Sequence, residues 1–342
     1  MIPVYSISKP FLAQAVVALG VDLESQIGEH LQGLSATYAE RQIGRLLNHT
    51  SGLSDYSALA AYNEAVKANE PAWSREELLQ RCESLNHAHE GFEYSNIGYL
   101  LLLMLVETRN GNRYYEALRE LVLEPLGIEG FAEWTTRHPA IPDYDPGWVY
   151  SGTFLADPAA IAPAVSRLAQ HRASTIGLTA GLKPVPYPNT GFAEPGYSYG
   201  FMNDGGRDGG NVRFVGHGGG GPGFQLMVLV QATNFTALVD YSTTGIDQAA
   251  SIEALKARLL PQPKPIARRL PKRMLQLEDA TRCLTLNRAY SEPEVNRVID
   301  ALFEDRMMAR RLLVEWGFMT RTTDGREYRL QRRARPADLD LS

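Results

Sequence analysis

Prolines at 261, 263 and 265 interrupt the 342-residue chain. Each fixes its own φ, removes a backbone donor and pushes the preceding residue towards extended geometry. Neither a helix nor a central strand can run through Pro261-Gln262-Pro263-Lys264-Pro265, and alternating prolines favour an extended spacer. The chain is therefore expected to fold as two units, 1–260 and 272–335, joined by a linker over 261–271. Charge divides at the same place: the formal charge is −10 over residues 1–260 and +5 over 261–342. Hydrophobic residues make up 44% and charged residues 21%, ordinary globular usage that excludes collagen-like, coiled-coil and wholly disordered chains. The longest dense apolar run, 97–106, is too short to span a bilayer, which needs about 20 residues.

Within the first unit, Ser6 opens a helix whose apolar face is Phe11, Ala13, Val16, Val17 and Leu19, with Gly20 as its stop. Further helices are expected over 39–47, 75–84 (Ser74 and Glu77 forming a capping box), 96–107, 112–123 and 247–259. Residues 138–156 and 183–223 are rich in Pro, Gly, Tyr and Asn and read as turns and loops. Three strands are expected, over 213–217, 224–231 and 236–241. In the second unit, helices over 272–284, 292–303 and 305–316 precede a hairpin turning at Asp324-Gly325, an order that resembles a winged helix.

Three short patterns carry chemistry. In Ser6-Ile7-Ser8-Lys9, helical spacing sets the lysine amine beside the serine hydroxyl. Serine is a weak nucleophile that needs an adjacent base, and lysine serves only when its pKa is lowered. In Tyr94-Ser95-Asn96, the tyrosine can shuttle protons if cations lower its pKa, and the asparagine offers both donor and acceptor. Gly216-His217-Gly218-Gly219-Gly220-Gly221-Pro222-Gly223 permits close backbone approach and offers N–H groups to an oxyanion. Each pattern alone also has a plain structural reading: a helix cap with a solvated lysine, an N-cap with a packed tyrosine, and a flexible loop.

Taken in order, the three resemble the penicillin-recognising serine hydrolases: β-lactamases, D-alanyl-D-alanine carboxypeptidases and family VIII esterases. The segments 45–53 (RLLNHTSGL) and 92–99 (FEYSNIGY) are similar to the settings of those motifs in class C-type members. The resemblance covers about residues 4–260. It implies an α+β fold with an antiparallel sheet flanked by helices. It makes Ser6 the nucleophile, Lys9 its base, Tyr94 a proton relay and Asn96 the group that orients lysine and substrate. His217 stands where many relatives carry a lysine, and backbone N–H groups of Ser6 and Gly220, bordered by Gly219, form the oxyanion hole. His49 and Gly52 are read as structural. The expected substrate is a small ester, amide or peptide. A neutral histidine in place of a fixed cation points away from carboxylate-bearing substrates, towards esterase, D-aminopeptidase or amidase activity with at most weak β-lactamase turnover. The alternative is an inactive β-lactamase-like sensor or scaffold coupled to a regulatory C-terminal domain.

Only five residues precede Ser6, where relatives have two further strands, so an incomplete N-terminus and a sheet lacking part of its edge are expected. No basic run leads into an apolar segment at the start, which for the chain as it begins suggests a cytoplasmic location. Cys82 and Cys283 form no metal-ligand spacing, and neither cofactor nor metal is expected. The C-terminal unit resembles DUF2087, a small domain sometimes attached to transcriptional regulators. The resemblance rests on 270–273 (LPKR), 290–296 (YSEPEVN), 310–317 (RRLLVEWG) and 321–328 (RTTDGREY). Arg306, Arg310, Arg311 and the wing make nucleic acid a candidate partner there. The sequence carries no signal for an oligomeric state.

Overall fold

A computed structural model describes residues 1–85, 91–205, 212–260 and 264–334, and the chain divides into compact units Met1–Leu259 and Leu260–Ser342. Residues 261–263 of the expected linker lie outside the described residues.

The centre of the first unit is the helix Asn96–Asn110. It is apolar on nearly every side, with Ile97, Leu100, Leu101, Leu102, Leu105 and Val106 fully buried. A helix of that kind must be enclosed. The Ser95 hydroxyl caps its start by accepting from the Gly98 N–H, and Gly111 at φ +83° closes its end. It packs on the helix Ser8–Ala18. That helix starts two residues later than expected, because residues Tyr5–Ile7 form a separate 3₁₀ turn.

The sheet has six antiparallel strands in sequence order: Lys183–Pro184, Gly196–Ser198, Phe201–Asn203, Phe214–Gly221, Phe224–Gln231 and Ala237–Ser242. The three expected strands are the last three of these. The other three are two or three residues long, too short to show alternation in a Gly- and Pro-rich stretch. Among the described residues, Ala237–Ser242 is an edge strand, paired on one side with Phe224–Gln231. A small second sheet joins Ile2–Pro3 and Phe131–Ala132 to Leu155–Ala156 and so anchors the chain just ahead of Ser6.

Two helices went unread in the sequence, the short Ala60–Lys67 and the longer Pro158–Ser174. Pro158–Ser174 lies against Phe224–Gln231 and buries Ile161, Ala164, Val165, Leu168 and Ala169. Its start was legible, with Asp157 accepting from the Ala159 N–H and Pro158 in the first position. Pro163 inside it hid the periodicity. The expected helix over 39–47 is instead two short ones, Ala36–Ala39 and Ile43–Leu47, and that over 112–123 is Tyr114–Leu118 followed by a wider π-helical turn.

The glycines after His217 are not a flexible loop. They lie in the strand Phe214–Gly221, in register with Phe224–Gln231 as Gly219↔Leu226 and Gly220↔Gln225. A Cβ on Gly219 would lie 2.3 Å from the Val4 carbonyl oxygen, and one on Gly221 would lie 2.3 Å from the Tyr5 ring. The turn carrying Ser6 thus rests directly on this strand.

The second unit has helices Leu270–Arg282, Glu292–Asp300 and Arg306–Glu315, then the hairpin Met319–Arg321 with Glu327–Leu330. A further strand, Ala289–Ser291, joins the hairpin beside Glu327–Leu330. Leu277, Val295, Ile299, Leu313 and Phe318 form its own core.

Substituting Gly219→Ala is expected to lower unfolding free energy by about 1–3 kcal/mol through overpacking against backbone. Gly220→Ala meets only Gln225 Cγ, at 3.7 Å, and should change it by less than about 0.5 kcal/mol. Urea unfolding of the two variants checks the pair.

Candidate active site

Tyr5 holds φ at +47°, in the left-handed region that a side chain disfavours. Its hydroxyl donates to the Pro222 carbonyl at 2.6 Å and its ring packs edge-on to Trp134, with centroids 5.9 Å apart. These contacts hold the sharp turn that presents half-buried Ser6 before the helix begins.

Lys9, in the first turn of that helix, is fully buried. Its Nζ lies 3.1 Å from Ser6 Oγ, 2.6 Å from Asn96 Oδ1 and 3.3 Å from Ser151 Oγ. The Tyr94 and Tyr99 rings each stand with centroids 5.1 Å from it. Burial pulls the Lys9 amine down to about 7, against the opposing charge of Asp55. An amine with that pKa is substantially neutral at physiological pH.

His217 is buried on the strand beside this group. Its Nδ1 lies 2.6 Å from the Gly218 carbonyl, which only accepts, so Nδ1 carries the proton. Its Nε2 accepts from the Tyr197 hydroxyl at 2.9 Å. Burial first, then the Lys9 charge, lowers its pKa to about 3. The ring is neutral, with both nitrogens engaged.

Residues 1–256 match the family model described as Beta-lactamase. The chain belongs to the beta-lactamase family. Residues 264–330 match the model described as an uncharacterized protein conserved in bacteria, DUF2087. Penicillin-binding protein 4* of Bacillus subtilis (strain 168) is 29% identical over 154 residues, and the chain spans about a third (34%) of that relative's length. The match takes in 42% of this chain. A D-stereospecific amidohydrolase from Streptomyces sp. has a similar structure, with TM-score 0.62 at 22% identity over 75% of this chain and 86% of that one. A D-amino acid amidase from Ochrobactrum anthropi SV3 gives TM-score 0.57 at 20% identity over 76% of this chain and 82% of its own. An octameric penicillin-binding protein homologue from Pyrococcus abyssi gives 0.58 at 19% over 85% and 72%. At these identities the likeness concerns the fold.

Ser6, Lys9, Tyr94, Asn96 and His217, read from three separate stretches of sequence, thus stand in one cluster within this family fold, and Gly219 and Gly220 lie on the strand that carries His217. One sequence condition is reversed. A lowered Tyr94 pKa was the condition for its proton shuttling, whereas burial raises it, with the hydrogen bond to the Ser6 hydroxyl acting the other way. The phenol stays protonated.

His49, read as structural, ties the end of Ile43–Leu47 to the Tyr94 segment. Its carbonyl accepts from the Glu93 N–H at 2.8 Å and its Nδ1 from the Ser95 N–H at 3.1 Å. Its ring packs on Tyr94, with centroids 4.3 Å apart. Two site residues were missed. Asp55 Oδ2 accepts from both the backbone N–H and the Nδ2 of Asn96, each at 2.7 Å. Ser151 reaches Lys9 from the segment after the turn Pro146–Trp148. Neither sits in a recognisable pattern. The one available signal for Asp55 is its place two residues after the 45–53 segment.

In the second unit, the arginines singled out for nucleic acid each carry a carboxylate partner: Arg306 with Asp300, Arg310 with Glu292 and Arg311 with Glu315. Among the described residues no group of three or more His, Cys, Asp or Glu could hold a metal, and no helix is long and apolar enough to cross a membrane.

His49 and His217 both have depressed pKa values, so the folded chain binds fewer protons than the unfolded one below about pH 6.5. Stability is therefore expected to fall as pH drops from 6.5 towards 3. Denaturant midpoints at pH 7 and pH 4 check this, and His217→Gln should lose less of its stability on acidification than the wild type.

Proposed function

We propose that the first unit is a serine hydrolase that acts through an acyl-enzyme on a small ester or amide. The observation that carries this reading is the buried Lys9 amine, 3.1 Å from Ser6 Oγ and with a pKa near 7. A neutral amine has two N–H bonds and one lone pair. Asn96 Oδ1 and Ser151 Oγ take the two hydrogens, and the lone pair is left for the Ser6 proton. Ser6 Oγ attacks the carbonyl carbon as Lys9 accepts that proton. The oxyanion is held by the backbone N–H groups of Ser6 and Gly220. The tetrahedral adduct collapses, the C–O or C–N bond breaks, and the leaving group takes a proton relayed from Lys9 by the neutral Tyr94 phenol. Water then repeats the sequence in reverse roles and frees Ser6.

His217 shapes the choice of substrate. A neutral imidazole with both nitrogens satisfied gives a substrate carboxylate no charge-assisted bond. Uncharged esters and amides therefore suit the site better than carboxylate-bearing β-lactams. The amidohydrolase and amidase among the structural relatives favour the same direction.

Intact-mass spectrometry after mixing with a p-nitrophenyl ester should show one acyl adduct on Ser6, absent from Ser6→Ala. Lys9→Ala and Ser6→Ala should each lower kcat/KM by about 10³-fold or more. An uncharged ester should be turned over faster than a cephalosporin. No adduct on the wild type, or the same adduct on Ser6→Ala, would sink the proposal.

A further inference from the structure

The Lys9 amine works as a base only if the groups around it leave its lone pair to Ser6. That depends on which end of the Asn96 amide faces it. The two ends of an asparagine side chain are nearly equal in shape, and only the hydrogen-bond network distinguishes them. Asp55 settles the choice here. A carboxylate only accepts, and Asp55 Oδ2 takes hydrogen bonds from the Asn96 backbone N–H and from its Nδ2, both at 2.7 Å. The carbonyl end must then point the other way, and Asn96 Oδ1 lies 2.6 Å from Lys9 Nζ. With the amide reversed, a carbonyl would face the carboxylate and an NH2 group would face the amine. The second carboxylate oxygen of Asp55 accepts from the Ser57 N–H at 2.8 Å and fixes the carboxylate on the turn Tyr56–Ala58.

We propose that Asp55 is a positioning residue for the Ser6–Lys9 pair, acting through Asn96 to turn the amide carbonyl onto the lysine amine and setting a negative charge beside it. This rests on the hydrolase reading above for its consequence in rate, but not for its consequence at Lys9. The titratable groups acting on Lys9 are Asp55, His49 and His217, with the phenol rings of Tyr94 and Tyr99 against it. Both imidazoles are neutral, so Asp55 is the charge that holds the ammonium form against burial. Removing it, or letting the amide turn over, takes support from the ammonium form in both cases.

The test is direct titration of Lys9 by NMR of labelled lysine side chains, assigned by loss of the signal in Lys9→Met. It requires no turnover. The midpoint should move to lower pH in Asp55→Asn, which keeps the shape, and in Asp55→Ala. In steady-state assays with the p-nitrophenyl ester, Asp55→Ala should lower the high-pH plateau of kcat/KM by about 10–100-fold. In an Asn96→Ala background the same change should cost less than about twofold, because its route to Lys9 is already gone. An unmoved Lys9 midpoint in Asp55→Asn, or losses that multiply in the double variant, overturns the inference. Should Asp55→Ala fail to fold, Asp55→Asn decides through the same titration. Should the wild type lack hydrolysis, the hydrolase reading falls while the titration still decides the role of Asp55.

Discussion

Burying a lysine amine is expensive unless it is hydrogen-bonded or neutral, and the site is arranged around that constraint. Lys9 has no exposure to solvent and three polar neighbours from three segments: Ser6 one turn back, Asn96 at the start of the central helix, and Ser151 from the far side of the chain. The near-apolar helix Asn96–Asn110 matters to the chemistry for this reason. Its enclosure supplies the low-dielectric surroundings that strip the amine of water, while its first residue supplies the acceptor that keeps the amine tolerable. The same burial that lowers Lys9 keeps the Tyr94 phenol protonated and the His217 ring neutral. Near pH 7 the cluster therefore holds a partly neutral amine, a neutral imidazole and a phenol, with Asp55 as the anion behind them.

Close approach is the second constraint. The 3₁₀ turn bearing Ser6 sits so near the strand Phe214–Gly221 that side chains at 219 and 221 would overlap Val4 and Tyr5. The glycines thus bring Ser6 and the strand backbone together, and Tyr5 takes up an unfavourable φ to turn the chain there. Local strain of this kind persists only where surrounding contacts over-determine it. Here the bond from Tyr5 to Pro222 and the edge-on contact with Trp134 do so.

The readable parts of the chain were those with strong local signals. The apolar run from Ile97, the Ser95 cap, the Ser74 cap and the Asp324-Gly325 turn all appear where the residues suggest, although among the described residues Glu77 does not reach back to complete a box at Ser74. The clustering of Ser6, Lys9, Tyr94, Asn96 and His217 was legible because Ser6 and Lys9 are one turn apart and because the other motifs follow in family order. What stayed hidden was tertiary in origin. Pro163 masked a buried helix. The strands Gly196–Ser198 and Phe201–Asn203 owe their existence to pairing, the first with the second and the second with the glycine strand, rather than to their own pattern. Asp55 and Ser151 acquire meaning only from what folds against them. The pKa of Tyr94 went the opposite way from the sequence argument because enclosure outweighs the hydrogen bond with the Ser6 hydroxyl.

The central claim is that Ser6 is activated by an amine that is neutral near pH 7. The most direct measurement is the second-order rate of fluorophosphonate labelling of Ser6 from pH 5 to pH 9. It should rise through a single-proton transition centred near pH 7, as Lys9 loses its proton. A rate independent of pH across that range, or one still climbing at pH 9 as an ordinary lysine would give, would contradict the account.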